Sequence, residues 1–240
     1  MEFNSSIAYP DTFDITVSKS KAFTELNKDA LITFIIPTIN RDTLSRALSS
    51  ILQQTLSNWK AIIIFDGCQP TDESLLSLLN DSRFLYIPIK RTGSQQNSTH
   101  GQAGFVRNIG MKLVNTPWIG FIDDDDVIIP TYLQHLEEEI QITPHADVIS
   151  FKMIYNNDIF PPINYSSITQ NTIGISFTIK TSLLKEGFAF KQSTSEDFML
   201  LHDLQEANKT IVLSPYITYC VRNSALTNNI MSNRFVINSK

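Results

Sequence analysis

The sequence predicts an α/β domain with a mostly parallel central sheet, helices flanking it, and a mixed extension of the same sheet toward the C-terminus. Three observations carry this prediction. Short continuous apolar runs, rich in Ile and Phe, stand at Leu31–Ile36, Ala61–Phe65, Phe84–Ile89 and Trp118–Ile122, the pattern of strands buried on both faces. Helical segments lie between them, so successive strands are joined by crossovers and run parallel. After residue 126 the spacing becomes irregular, yet no linker rich in Gly, Ser or Pro and no repeat divides the chain. One domain over residues 31–230 follows, with an N-terminal arm before it and a short tail after it.

Residues 1–30 show no sustained period beyond a short helix around Lys19 to Leu26. The first strand, Leu31–Ile36, is stopped by Pro37. Asp42 is placed to cap a helix in which Leu44, Ala47, Leu48, Ile51 and Leu52 recur at helical spacing. A strand at 61–65, a turn at Asp66-Gly67, a helix from about Thr71 to Leu79 and a strand at 84–89 come next. A long polar loop, Arg91 to Gly101, suits a mobile cover. It leads to a helix from about Gln102 to Val114 and the strand 118–122. The second half reads as a helix at Tyr132–Ile142, strands near Val148–Tyr155 and Gly174–Ile179, a helix at Glu196–Ala207 and a strand at Ile211–Val221.

Composition removes several classes of function. With 240 residues, 42% of them hydrophobic, the chain can bury a sizeable core. A formal net charge of −5 and a pI near 5.3 argue against a polyanion-binding surface, and so against nucleic acid. Two cysteines, Cys68 and Cys220, cannot make a disulfide framework, and no CxxC or HExxH spacing points to zinc. No early apolar run reaches the roughly 7–15 residues of a signal peptide, and none anywhere reaches the about 18 of a membrane span. The expectation is a soluble, cytoplasmic protein that has no transmembrane segment and is free to make peripheral membrane contact.

Chemistry-bearing residues collect at strand ends. Thr38, Asn40 and Arg41 follow the first strand, Asp66 and Gly67 the second, and Asp123 to Asp126 the fourth. In doubly wound sheets these carboxyl ends line the ligand crevice. Four adjacent carboxylates repel one another and are most easily tolerated beside a cation. In an extended or tightly turned backbone Asp123 and Asp125 point to one side and Asp124 away, so two carboxylates can address one Mg²⁺ or Mn²⁺. Neither a GxxxxGKS/T loop nor a GxGxxG fingerprint is present, which excludes the P-loop NTPases and typical dinucleotide enzymes.

These segments, taken together, resemble the inverting glycosyltransferases of family 2, with the GT-A fold. Ile36-Pro37-Thr38-Ile39-Asn40-Arg41 is similar to the family's I-P-T-Y-N-R segment, and Asp66-Gly67 to its D-D-G-S turn. Arg107-Asn108-Ile109-Gly110 resembles A-R-N-x-G, Phe121 to Asp126 resembles F-L-D-S-D-D, and Ser195-Glu196-Asp197 resembles x-E-D. The motifs stand in the family's order across about residues 31–200. The resemblance implies a nucleotide-diphosphate sugar donor (UDP- or GDP-sugar), a glycan or glycolipid acceptor, and Mn²⁺ or Mg²⁺ as cofactor. It assigns Pro37, Thr38, Asn40, Arg41, Asp66, Arg107, Asp123 and Asp124 to the donor, with Asp66 accepting from the base and Arg107 reaching toward base or phosphates. Asp125 becomes the direct metal ligand, with Asp123 beside it. Asp197 becomes the general base, and Glu196 orients the acceptor. Residues 31–126 would then hold the donor and 127–230 the acceptor.

Two departures stand out. Phe65 and Cys68 replace an Asp and the Ser of the D-D-G-S turn, according to alignment. Arg222, in Tyr219-Cys220-Val221-Arg222, takes the place of the His in the family's Y-R-x-H. An arginine cannot ligate a cation, but it can hold a diphosphate. The competing readings are a nucleotidyltransferase, a receiver-like signalling module, and a catalytically inactive nucleotide-sugar or glycan-binding relative. The first lacks its Gly-rich basic segment, and the second leaves half the chain unexplained.

Overall fold

In the computed structural model, which describes residues 23, 28–92, 103–162, 167–170 and 172–221, the four apolar runs of the first half lie side by side. They form β1 (Ile32–Thr38), β2 (Trp59–Asp66), β3 (Phe84–Ile89) and β4 (Trp118–Phe121). All are parallel, in the order β3-β2-β1-β4. The chain steps outward from β1 to β3 and then returns to β4 on β1's other side. The ends of β1 and β4 therefore flank a point where strand order reverses, the place where such sheets open a crevice.

The helices between them are α1 (Leu44–Leu52), α2 (Glu73–Leu78) and α3 (Ala103–Met111). The second half supplies β5 (Val127–Ile128), α4 (Tyr132–Ile142), β6 (Val148–Tyr155), β7 (Asp158–Phe160), β8 (Phe177–Lys180), α5 (Glu196–Glu206) and β9 (Ile211–Cys220), with a 3-10 turn at Thr181–Glu186. Strands β8, β6, β9 and β5 continue the same sheet beyond β4, and β7 pairs with the far end of β6. Strand β8 is antiparallel to both β4 and β6, while β9 is parallel to β6, so the extension is mixed, as the sequence predicts.

Several boundaries differ from expectation for local reasons. Strand β1 continues through Pro37 to Thr38. Its pairing with β4 ends at Ile35, and the following residues ladder only with β2, so Pro37 lies where one side of the strand needs no ladder N–H. Asp42 does not cap α1. Thr43 holds the N-cap position, without a side-chain bond. The Asp72 carboxylate does cap α2, accepting from the Leu75 amide at 2.9 Å. Helix α3 ends at Met111, where turn bonds from Leu113 and Val114 replace the helical ladder. The strand expected from Gly174 begins at Phe177, after a tight turn in which the Phe177 amide donates to the Ile175 carbonyl at 2.8 Å. The arm helix near Lys19–Leu26 apart from Phe23, residues 93–102 of the polar loop, and Arg222 with the tail lie outside the described residues.

Ile32, Phe34, Ile36, the β2 run Ala61–Phe65 and Phe121 are buried in one continuous core that extends through Phe151, Phe177 and Tyr219 in the mixed half. Helix α3 packs on β1 and β2. Gly110 permits that closeness, because a Cβ there would stand 2.9 Å from Ile35 Cγ2. This close packing fixes Arg107, one turn earlier, at the edge of the crevice.

Candidate functional site

At the end of β1, Thr38 is buried and its hydroxyl is fully used. It donates to the Asp124 carboxylate at 2.7 Å and accepts from the Asn40 amide at 2.9 Å. Asn40 has φ 63°, a left-handed turn that suits Asn better than most residues. The turn directs Arg41 back over the acidic run, where its guanidinium meets Asp124 at 3.1 Å and Asp125 at 2.9 Å. Arg46 on α1 donates to the Asp125 carbonyl at 2.7 Å.

At the end of β2, Asp66 is buried, and its two carboxylate oxygens accept from the Thr92 amide and hydroxyl at 2.7 and 2.9 Å. Gly67 follows at φ 73°, where a Cβ would lie 2.6 Å from Arg91 Cδ. Only glycine fits this turn. Arg91 in turn donates to the Asp66 carbonyl at 3.0 Å.

After β4 the chain makes a tight turn, with the Asp126 amide donating to the Asp123 carbonyl at 3.1 Å. Asp124 points away toward Thr38 and Arg41. Burial pushes its carboxyl above the usual range, against the pull of the Thr38 hydroxyl and Arg41. Asp123, Asp125 and Asp126 instead gather, each offering a carboxylate oxygen within 4.8 Å of the others. Asp126 is an addition to the pair read from sequence. It receives the buried Tyr219 hydroxyl of β9, whose oxygen also accepts from the Asp123 amide at 3.1 Å. Burial, followed by the charges of Asp126 and Asp123, holds that phenol well above its ordinary pKa. Three hard carboxylate donors at this separation fit a divalent cation such as Mg²⁺ or Mn²⁺.

Arg107 joins this cluster to the second half of the chain. Its side chain is 3% exposed, and its two terminal nitrogens donate to Asp123 and, at 3.0 Å, to Glu196 at the start of α5. The Phe190 ring supports the guanidinium at 5.3 Å and packs edge-on against Phe121. Burial alone would lower the Arg107 pKa, but the two carboxylates more than offset it and raise it. In this arrangement the guanidinium is committed to two side chains of the site. Beside Glu196, the Asp197 carboxyl accepts from the Phe198 amide at 2.7 Å, and burial pushes it above the usual range despite that bond. Ser195 precedes them without a side-chain cap bond, so the acids at this helix start are not part of a capping box.

These groups share one cleft of about 360 Å³, which is lined by Arg107, Asp123, Asp126, Glu196 and Asp197 together with apolar residues of β6, β7 and the 173–175 segment. Of the residues singled out from sequence, Asp123, Asp125, Arg107, Glu196 and Asp197 form a connected constellation. Pro37, Thr38, Asn40, Arg41 and Asp124 lie together at the end of β1, and Asp66 stands at the neighbouring end of β2. Asp126 was legible only as a member of the acidic run, without a role of its own, and Tyr219 and Phe190 were not legible as neighbours of the site. Tyr219 reaches Asp123 across 96 positions of sequence, a contact that only the β5–β9 pairing creates.

The chain is similar to known proteins over most of its length. The family model described as Glycosyl transferase family 2 matches residues 33–200. WcaA of Escherichia coli K12, named as a colanic acid biosynthesis glycosyl transferase, is 35% identical over 138 residues, 55% of this chain and 44% of its own length. The E. coli UDP-Glc:alpha-D-GlcNAc-diphosphoundecaprenol beta-1,3-glucosyltransferase WfgD is 25% identical over 86% of this chain and 82% of its own. Residues 1–349 of S. aureus TarS, solved in complex with UDP-GlcNAc, superpose with a TM-score of 0.63 at 19% identity, over 85% of this chain and 61% of that one. The chain thus spans less than half of WcaA and under two thirds of that TarS fragment. With a matching family model over most of the domain, and motifs carried at the switch point of a mixed sheet, the chain belongs to glycosyl transferase family 2 and has the GT-A fold.

Proposed function

We propose that the protein transfers a sugar from a nucleotide-diphosphate donor to a hydroxyl of a glycan or lipid-linked glycan, in a metal-dependent, inverting single displacement. The observation that carries this reading is the facing of Asp123, Asp126 and Asp197 into one cleft, with Arg107 tying the two sides. Asp123, Asp125 and Asp126 would hold Mn²⁺ or Mg²⁺, which when bound neutralises charge on the departing diphosphate. Pro37, Thr38, Asn40, Arg41, Asp66 and Asp124, gathered at the ends of β1, β2 and β4, form the floor for the nucleotide. Asp197 takes the acceptor hydroxyl's proton as that oxygen bonds the anomeric carbon and the carbon–diphosphate bond breaks. A base whose pKa is raised by burial binds that proton more strongly than an exposed aspartate would. Glu196, held by Arg107, orients the acceptor.

The names of relatives narrow the substrates. WfgD and WfaP of E. coli are named for UDP-Glc and an α-D-GlcNAc-diphosphoundecaprenol acceptor. TarS was solved with UDP-GlcNAc. A UDP-sugar donor and a polyprenyl-diphosphate-linked acceptor are therefore the first to try. No helix among the described residues is long and apolar enough to cross a membrane. We place the reaction in the cytoplasm at the membrane surface, and the free thiols of Cys68 and Cys220 agree with a reducing compartment.

Calorimetry with UDP tests the donor side. UDP should bind with Mn²⁺ present and lose about tenfold or more in affinity without it or in Asp125→Ala, the equivalent of about 1.4 kcal/mol. Binding that is indifferent to both metal and Asp125 would contradict the assignment.

A further inference from the structure

The cleft is lined by two chemically different sets of groups. Asp123, Asp126, Glu196 and Asp197 supply four carboxylates, and Arg107 is the one cation among the described lining residues. The second set is apolar and comes from the hairpin of β6 and β7 together with Ile173, Ile175 and Val221. Asn156 and Asn157, at φ 49° and 71°, make the two-residue turn that hairpin twist favours. The register pairs Tyr155 with Asp158 and Met153 with Phe160, so Met153, Tyr155 and Phe160 lie on one face. All three line the cleft.

Met153 packs against the core, but core packing does not account for the Tyr155 end of this face. Tyr155 is 45% exposed, and its ring meets the edge of Phe160, with centroids 6.1 Å apart at 69°. The hairpin is nevertheless held firmly in place. Lys152, on its opposite face, is buried and donates to the Pro161 and Pro162 carbonyls at 3.2 and 3.1 Å, and the Val221 amide donates to Ile154. The apolar face also reaches the carboxylates. A Cβ at Gly174 would stand 2.8 Å from Met153 Cε and 3.8 Å from Asp197 Oδ2, so the two side chains approach each other across a glycine.

We infer that the β6–β7 hairpin is the acceptor's platform, and that Tyr155 and Phe160 take the C–H face of an uncharged pyranose whose hydroxyl meets Asp197. This rests on the transferase reading above and adds to it the substrate class. A pyranose has an apolar C–H face and a rim of hydroxyls. The positively polarised C–H groups suit the negative face of an aromatic ring, and the hydroxyls suit carboxylate acceptors. The charge of the cleft sets the second condition. Arg107 is already shared between Asp123 and Glu196, so a carboxylate or phosphate on the acceptor ring would face Glu196 and Asp197 without a free cation among the described lining residues. Uronic acids are therefore poor acceptors.

Saturation-transfer NMR with methyl glycosides, on protein holding UDP and Mg²⁺, tests this without need of the natural acceptor. At least one of methyl α-glucoside, galactoside, mannoside or N-acetylglucosaminide should receive saturation on its ring C–H protons, and methyl glucuronide should receive none. Tyr155→Ala should weaken the neutral glycoside by about three- to tenfold, the worth of an aromatic contact, and Tyr155→Trp should keep it. UDP affinity should be equal in all three proteins. Saturation that survives Tyr155→Ala, equal saturation of the glucuronide, or no neutral glycoside bound by a wild type that binds UDP overturns the platform alone. A wild type that binds neither UDP nor GDP overturns the transferase reading and the platform with it.

Discussion

Asp197→Asn is expected to lower the transfer rate by about 10²-fold or more while leaving UDP affinity unchanged. The amide keeps the shape and the Phe198 contact but cannot take the acceptor's proton. The same substitution should raise the melting temperature at neutral pH, and the sign follows from the direction of the shift. Burial raises the Asp197 pKa in the folded protein, so the folded state favours the protonated form. The stability linked to that proton is present at acid pH and is lost as pH rises through the folded pKa. Above it, wild type carries a buried charge that the Asn variant lacks. Thermal melts from pH 4 to 8 should therefore show the gap between the two proteins widening with pH. Loss of activity accompanied by a lower melting temperature would point to structural damage and remove Asp197 from the chemistry.

Arg107→Met is expected to be the most destabilising single change in the cleft. It deletes a guanidinium that is 3% exposed and leaves Asp123 and Glu196 facing each other unpaired. Breaking a buried pair costs about 3–5 kcal/mol, and because Asp123 is partly open to water the lower end of that range applies. Lysine should not rescue it, since one ammonium cannot span two carboxylates as the planar fork does. Adding Glu196→Gln to Arg107→Met should recover part of the loss, because the repulsion is then removed at its source. Additive losses in denaturant unfolding of the three variants would mean that the bridge is not the source of the effect.

Much of the fold was legible because the first half consists of long, unambiguous apolar runs. Residues 84–89 were delimited to the residue, and β2 and β4 nearly so. The weaker elements escaped for physical reasons. Strands β5 and β7 are two and three residues long and carry no period, and the segment at Gly174 forms a turn before its strand begins. At the site, sequence placed acids and cations at the correct strand ends but could not pair them. Arg107 stood out as a residue for the donor, and its partners within the chain, Asp123 at 16 positions and Glu196 at 89, were not legible. Four adjacent aspartates implied a cation, and the fold brings three arginines to them as well, Arg41 and Arg107 to the carboxylates and Arg46 to the Asp125 carbonyl. Asp126 could be read only as a turn residue, because its role depends on the Asp123 turn bond and on Tyr219 arriving from β9.

The proposed transfer is a single displacement at the anomeric carbon, driven from the Asp197 side of the cleft. Proton NMR of UDP-α-glucose turnover in the presence of Mg²⁺ and a polyprenyl-diphosphate N-acetylglucosamine acceptor reads that stereochemistry at the first turnover. A new β-glucosidic signal is expected from the wild type, and none from Asp197→Asn. A product that retains the α configuration would contradict it.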